Sequence, residues 1–111
     1  MNITARHRDQ VTILDVHGKV TIGVGDVAMR EAVQEAINAG AKNILINLGD
    51  VSTIDSSGIG ELVSIFTTVT NRGGKLKLEN LPPKIADLMQ VTQLITVFET
   101  FDNEDEAIRS F

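Results

Sequence analysis

NILINLGDVSTIDSSGIGELVS, residues 43–64, sets an apolar run of branched side chains ahead of two adjacent serines and two glycines. Asn43 to Leu48 is too short for a helix and almost unbroken in its apolarity, which predicts a strand covered on both faces of a sheet. A loop from Gly49 to Ile54 is expected next. From Ser56 to Asn71 the apolar residues Ile59, Leu62, Val63, Phe66 and Val69 fall on one stripe, the pattern of an amphipathic helix. Arg72-Gly73-Gly74 ends it. Ser56 and Ser57 thus stand at the head of a helix, just beyond a buried strand. Either they do chemistry or chemistry is done to them.

Working outward, VTILDVHGKV (residues 11–20) predicts a strand that pairs with residues 2–7 through an Arg8-Asp9-Gln10 turn. Gly23 and Gly25 mark a loop, after which Val27, Ala28, Val33, Ala36 and Ile37 recur at helical spacing. Asp26 is the expected N-cap of that helix and Gly40 its stop. KLKLEN (residues 75–80) alternates as a strand does. Pro83 suits the first turn of a short helix over Lys84 to Met89. Val97 to Phe101 reads as a last strand, and Asn103 as the cap of a terminal helix whose acidic first turn complements the helix dipole. Strands and helices alternate after an initial hairpin. The fold class is α/β, a single domain over residues 1–111 with a mixed sheet (N-terminal hairpin plus parallel strands) flanked by about four helices.

The chain has 111 residues, 42% of them hydrophobic and 23% charged, with a formal net charge of −5. That balance suits one ordered core and repels phosphate backbones, so neither nucleic acid nor an anionic membrane is an expected partner. Cys is 0, which removes disulfides and thiolate metal sites. No apolar run approaches the roughly 20 residues of a membrane span, and the N-terminus lacks a signal-peptide core. The expected location is the cytoplasm. With no Trp or Tyr, a stacking platform for bases is not expected either.

Catalysis by the serines lacks its usual company. A hydrolase elbow places Gly two residues before and two after the nucleophile, whereas Ser56 has Ile54 and Gly58 there. The available bases are His7 and His17, both in the N-terminal hairpin. GVGDVA (residues 23–28) fits Gly-x-Gly-x-x-Ala, but Asn43 stands where an acidic ribose ligand would be needed, and the chain is too short for a dinucleotide fold. Gly18-Lys19 is not followed directly by Ser or Thr. Asp102, Glu104, Asp105 and Glu106 lack calcium-loop spacing. No enzymatic activity, metal or cofactor is expected.

The remaining possibility is that the serines are modified. A phosphoryl group at a helix N-terminus meets backbone N–H groups and the positive dipole end, and adds about −1.5 to −2 charge. Asp55 beside it would repel the group, which favours a binding switch over a folding switch. On a helical wheel Ser57, Glu61, Ser64 and Thr68 form a row opposite the apolar stripe. Gly58 and Gly60 each cost up to about 1 kcal/mol relative to Ala in a helix, and nothing in the local pattern asks for them. They are read as letting another protein approach the backbone.

The run from Asn43 to Ser64, continuing as GGKLKLENLPPKIADLMQVTQL, resembles a STAS domain of the anti-sigma factor antagonist type. The likeness is carried by Ile44 to Leu48, by Asp55-Ser56-Ser57-Gly58 with Gly60, and by Gly73-Gly74 and Leu88. It implies a non-catalytic protein that, when unmodified, binds an anti-sigma factor, usually a serine kinase, and so frees the sigma factor. It further implies that the kinase phosphorylates Ser56, that binding is then lost, and that a PP2C-type phosphatase resets the system. Ser57 is the alternative acceptor. Asp55, Ser56, Ser57, Gly58, Gly60, Glu61, Ser64 and Thr68 are the expected partner-binding residues, in a chain that is a monomer or weak dimer when free. Family members carry Gly-x-Leu-Asp after the second strand; here Gly18-Lys19-Val20-Thr21 puts Thr21 in the Asp position, so no binding role passes to Thr21 or Asp26. The alternative is a STAS scaffold or accessory subunit of a sensory or lipid-transport complex that is never phosphorylated.

Overall fold

A computed structural model describes residues 1–111. The chain opens with a hairpin, β1 (Asn2–Arg8) and β2 (Val11–Val20), in antiparallel register with Arg8 opposite Val11 and Asn2 opposite His17. Asp9 and Gln10 close it with positive φ at both positions, 48° and 67°, the backbone that a two-residue turn needs to match strand twist. Then come α1 (Gly25–Asn38), β3 (Asn43–Ile54), α2 (Ser56–Asn71), β4 (Lys75–Glu79), α3 (Pro83–Val91), β5 (Thr100–Phe101) and α4 (Glu104–Arg109). The sheet runs β1-β2-β3-β4-β5, parallel from β2 onward. This is the expected mixed sheet flanked by four helices.

The two faces of the sheet are covered unequally. Leu14, Ile44, Ile46, Leu62, Leu78 and Met89 belong to a large core beneath α1, α2 and α3, whereas Val11, Ile13 and Leu45 meet Ala107 and Ile108 of the short α4. Ile44, Leu45 and Ile46 are each fully buried, as a strand sandwiched between helical layers must be.

Three boundaries differ from the expectation. β3 does not end at Leu48: residues 49–54 continue the strand, because β2 also continues and pairs with them across register shifts near His17 and Gly18. The expected last strand is mostly absent. Leu94–Thr96 forms a 3-10 turn after Gln93, which has φ 62°, and this turn seats Phe98 edge-to-face on Phe66, with ring centroids 5.2 Å apart. Only Thr100–Phe101 pairs with β4. Finally, α1 starts at Gly25 and Asp26 is not its cap; the cap position is Val24, with no side-chain bond. A Cβ on Gly25 would fall 2.1 Å from the Lys19 carbonyl oxygen and 2.8 Å from the Val20 Cα. Close packing on β2, rather than capping, sets where α1 begins. Asn103 does cap α4, accepting from the Glu106 N–H at 3.1 Å.

Beside that apolar patch, the α4 face of the sheet also carries charge. Arg6 Nε donates to Asp15 at 2.7 Å and Arg6 Nη1 to Glu104 at 2.8 Å, while Arg8 bridges Glu104 and Asp105. Asn47 donates to Asp15 at 2.9 Å. Glu79 lies fully buried beside this network with its Oε2 unpartnered. Burial, followed by the neighbouring Glu104 carboxylate, pushes the Glu79 carboxyl up to about 8. Arg6, the largest influence on Glu104, holds that carboxyl down at about 2.

Candidate functional site

The head of α2 lies where β3 leaves the sheet. Val20 of β2 is in register with Ile54 of β3, so the loop after β2 and the start of α2 emerge side by side. Asp55 joins them. Its backbone is extended (φ −108°, ψ −175°), and its carboxylate accepts from the Gly58 N–H at 2.9 Å and from the Ile22 N–H at 3.0 Å. The first bond is an N-cap, satisfying a first-turn donor that the helix itself leaves free. The second ties the β2–α1 loop to the helix. Together the two N–H donors, Gly58 first, hold the carboxyl below the usual carboxylate range.

Ser56 is the first residue of α2 and is exposed, while Ser57 is half-buried. The two glycines, paired in the sequence reading, have different roles. A Cβ on Gly58 would stand 2.2 Å from the Val20 carbonyl oxygen and 2.6 Å from Ile54 Cγ1; a Cβ on Gly60 would meet nothing within 4 Å. Gly58 is therefore demanded by internal packing of α2 on β2, contrary to the expectation that nothing local required it. Gly60 leaves bare helix backbone facing solvent.

The wheel row also needs correction. Glu61 is 8% exposed and accepts from Arg30 of α1 at 3.2 Å, with its second oxygen buried and unpartnered. It faces α1, and Ser57 and Thr68 are half-buried, so of the row Ser57, Glu61, Ser64, Thr68 only Ser64 lies open. Thr68 is half-buried and donates its hydroxyl to the Ser64 carbonyl at 3.1 Å. The residues of α2 that do face solvent include Ser56, Gly60, Ser64 and Thr67, one step around the helix.

Two residues of this surface escaped the sequence reading. Ile22 and Val24, in the loop held by Asp55, are 73% and 72% exposed. The signal was present: apolar residues set singly between glycines, in Ile22-Gly23-Val24-Gly25, belong to no periodic face. Exposed aliphatic side chains grouped beside polar ones are common at contact surfaces. Thr21 is half-buried and its carbonyl accepts from the Asp26 N–H at 3.2 Å, and Asp26 accepts from the Val27 N–H at 2.8 Å. Both serve the turn. The histidines lie elsewhere: His7 is on edge strand β1, and His17 Nδ1 sits 2.9 Å from Asp50. Neither is assembled with the serines into a nucleophile and base. No helix is long and apolar enough to cross a membrane.

Comparison with known proteins agrees with this architecture. An anti-sigma-B factor antagonist of Bacillus subtilis (strain 168) is 30% identical over 99 residues, 89% of each chain. The crystal structure of TM1081 from Thermotoga maritima superposes with a TM-score of 0.89 at 25% identity, covering 97% of this chain and 92% of that one. The Bacillus cell fate determinant SpoIIAA, in its phosphorylated form, shares the fold with a TM-score of 0.74 at 22% identity, over 98% of both chains. The STAS domain family model matches residues 2–107. The chain belongs to the STAS domain family.

Proposed function

We infer that this chain is an anti-sigma factor antagonist: unmodified, it binds an anti-sigma factor of the serine-kinase type, and phosphorylation of Ser56 by that kinase ends the binding. The relatives' shared role supports the general assignment. The finer reading is supported most by one observation, that Asp55 already occupies the anion position at the head of α2. A phosphoryl group on Ser56 would find the Gly58 donor taken and would project outward, bringing about −2 charge next to the −1 of Asp55. Ser56 is exposed, so the fold has little reason to respond. A partner seated on Ser56, Gly60, Ser64, Ile22 and Val24 would have to desolvate about three negative charges, which costs several kcal/mol per ion unless each is paired.

Within this surface, Ile22 and Val24 are the apolar anchors and Gly60 is the point of closest backbone approach. Ser57, half-buried, is the poorer acceptor. A PP2C-type phosphatase would restore the binding form. The test is to incubate the chain with its kinase-type anti-sigma factor and ATP, then map the phosphate by mass spectrometry. Phosphate on Ser56, Ser56→Ala retained on the kinase in ATP, and Ser56→Asp released are the expected results. Phosphate on Ser57 alone would move the site, and co-purification with scaffold or transporter subunits, with both serines bare, would overturn the reading.

A further inference from the structure

The sheet ends at β1 on a bare edge. β1 pairs with β2 alone, and no strand lies beyond it. A row of free backbone N–H and C=O groups is a template for another strand, and proteins blunt such edges by shortness, proline, lysine or bulges. The opposite edge obeys that rule, since β5 has two residues. β1 does not: its seven residues include no proline or lysine, and its register with β2 runs without a shift. On the α1 side nothing bulky overhangs the edge, because the wall of α1 beside Ala5 is made of Ala32 and Ala36.

Which groups point outward follows from the hairpin. The two-residue turn at Asp9 and Gln10 makes Arg8 and Val11 a pair that exchanges both backbone hydrogen bonds, and such pairs alternate along the strands. Asn2, Thr4, Arg6 and Arg8 therefore bond to β2, while Ile3, Ala5 and His7 turn their N–H and C=O groups away from it. The side chains of these three lie on the α1 face, Ile3 half-buried and Ala5 and His7 exposed. Arg6 and Arg8 lie on the other face, bonded to Asp15, Glu104 and Asp105, so their charge is offset within the chain.

A second copy of the chain fits this edge in one register. Set antiparallel about Ala5, Ala5 meets Ala5 of the second copy and Ile3 meets its His7, so every outward group is used, in roughly six hydrogen bonds. Thr4 and Asn2 then stand opposite Arg6 and Arg8 of the second copy, and no two arginines are directly opposed. A shift by one residue sets outward groups against groups already bonded to β2. A shift by two either opposes Arg6 to Arg6 or leaves His7 facing Met1, beyond the end of the strand. We propose that the chain self-associates through β1 in the register centred on Ala5, joining two sheets into one across a two-fold axis. The contact is closed, since the same edge serves both copies. Ile3, Ala5 and His7 are not part of the surface around Ser56, so the proposal stands whether or not the antagonist reading does.

The test is sedimentation equilibrium of the full chain from about 10 µM to about 1 mM, with amide hydrogen exchange read at both ends of that range. The mass should rise from monomer toward dimer and no further. Exchange at Ile3, Ala5 and His7 should slow at least about threefold at the higher concentration, while Thr4 and Arg6, already bonded within the hairpin, should not change. Ala5→Pro removes an outward N–H and leaves the hairpin ladder its bonds, so that chain should stay monomeric. If it unfolds, Ala5→Lys decides: the position is exposed, and the substitution sets like charges against each other across the axis, weakening association at least about tenfold. Chains carrying Ala5→Lys and Ala5→Glu should each be monomeric alone and dimerise when mixed, as the register centred on Ala5 requires. A wild-type chain that stays monomeric to about 1 mM leaves the edge to a strand of another protein and overturns the proposal. So would an Ala5→Lys chain that dimerises like wild type, or concentration-dependent protection that falls on Thr4 and Arg6 instead.

Discussion

Alanine at Gly58 and alanine at Gly60 should have opposite effects, although the residues are two apart in one helix. At Gly58 the added Cβ lands 2.2 Å from the Val20 carbonyl oxygen and 2.6 Å from Ile54 Cγ1. Overpacking costs about 1–3 kcal/mol, and contact with the backbone of a central strand points to the upper half of that range. Better helix propensity returns at most about 1 kcal/mol, leaving a net loss of about 2 kcal/mol. With a urea dependence of about 1.5 kcal/mol per molar, the unfolding midpoint should fall by about 1.3 M. At Gly60 the Cβ meets nothing, so the propensity gain of up to about 1 kcal/mol is kept and the midpoint should rise by about 0.5 M. The same methyl stands on the exposed line with Ser56 and should weaken binding to the anti-sigma factor. Urea melts followed by circular dichroism, with calorimetric titration of the partner, measure both effects. A Gly58→Ala chain as stable as wild type would refute the packing account, and a Gly60→Ala chain that is both destabilised and fully competent to bind would refute the division of roles.

Replacing Ile22 and Val24 together by serine should weaken the antagonist–partner complex at least about tenfold while changing stability by no more than about 0.5 kcal/mol, since both side chains are exposed; titration and melts on the double variant check both. Arg30→Ala should destabilise the chain by about 1–2 kcal/mol in urea melts, because it leaves the buried Glu61 carboxylate unpaired while Arg30 itself is half in solvent. Stability should fall as pH rises from about 5 to 8, because folded Glu79, facing Glu104, Arg6 and Asp15, keeps a proton up to about 8 that the unfolded chain releases near 4.5. Glu79→Gln should flatten that slope in melts across the interval, and a wild-type slope of opposite sign would contradict the assignment.

The architecture was legible because its strongest signals are long and local. The branched run 43–48, the stripe of α2 and the Asn103 cap each specify their element without help from distant residues. What was hidden depends on pairing. Residues 49–54 look like a loop, carrying Gly49, Asp50 and Ser52, and become strand only because β2 extends far enough to accept them. Val97 to Glu99 have strand propensity, yet the turn at Gln93 diverts them so that Phe98 can reach Phe66. At the site, the motif identified Asp55 and Ser56, but spacing cannot tell a glycine that admits a neighbouring strand from one that faces solvent. Nor can a wheel show that Arg30, far off in sequence, draws Glu61 out of the exposed row.

Calorimetric titration of one kinase-type anti-sigma factor with two forms of this chain, bare and stoichiometrically phosphorylated on Ser56, is the most direct measurement. The bare form should bind at least about a hundredfold more tightly, a difference of about 2.7 kcal/mol, with both forms unfolding at the same urea concentration. Equal affinities, or a loss of affinity that merely follows a loss of folded structure, would contradict the switch.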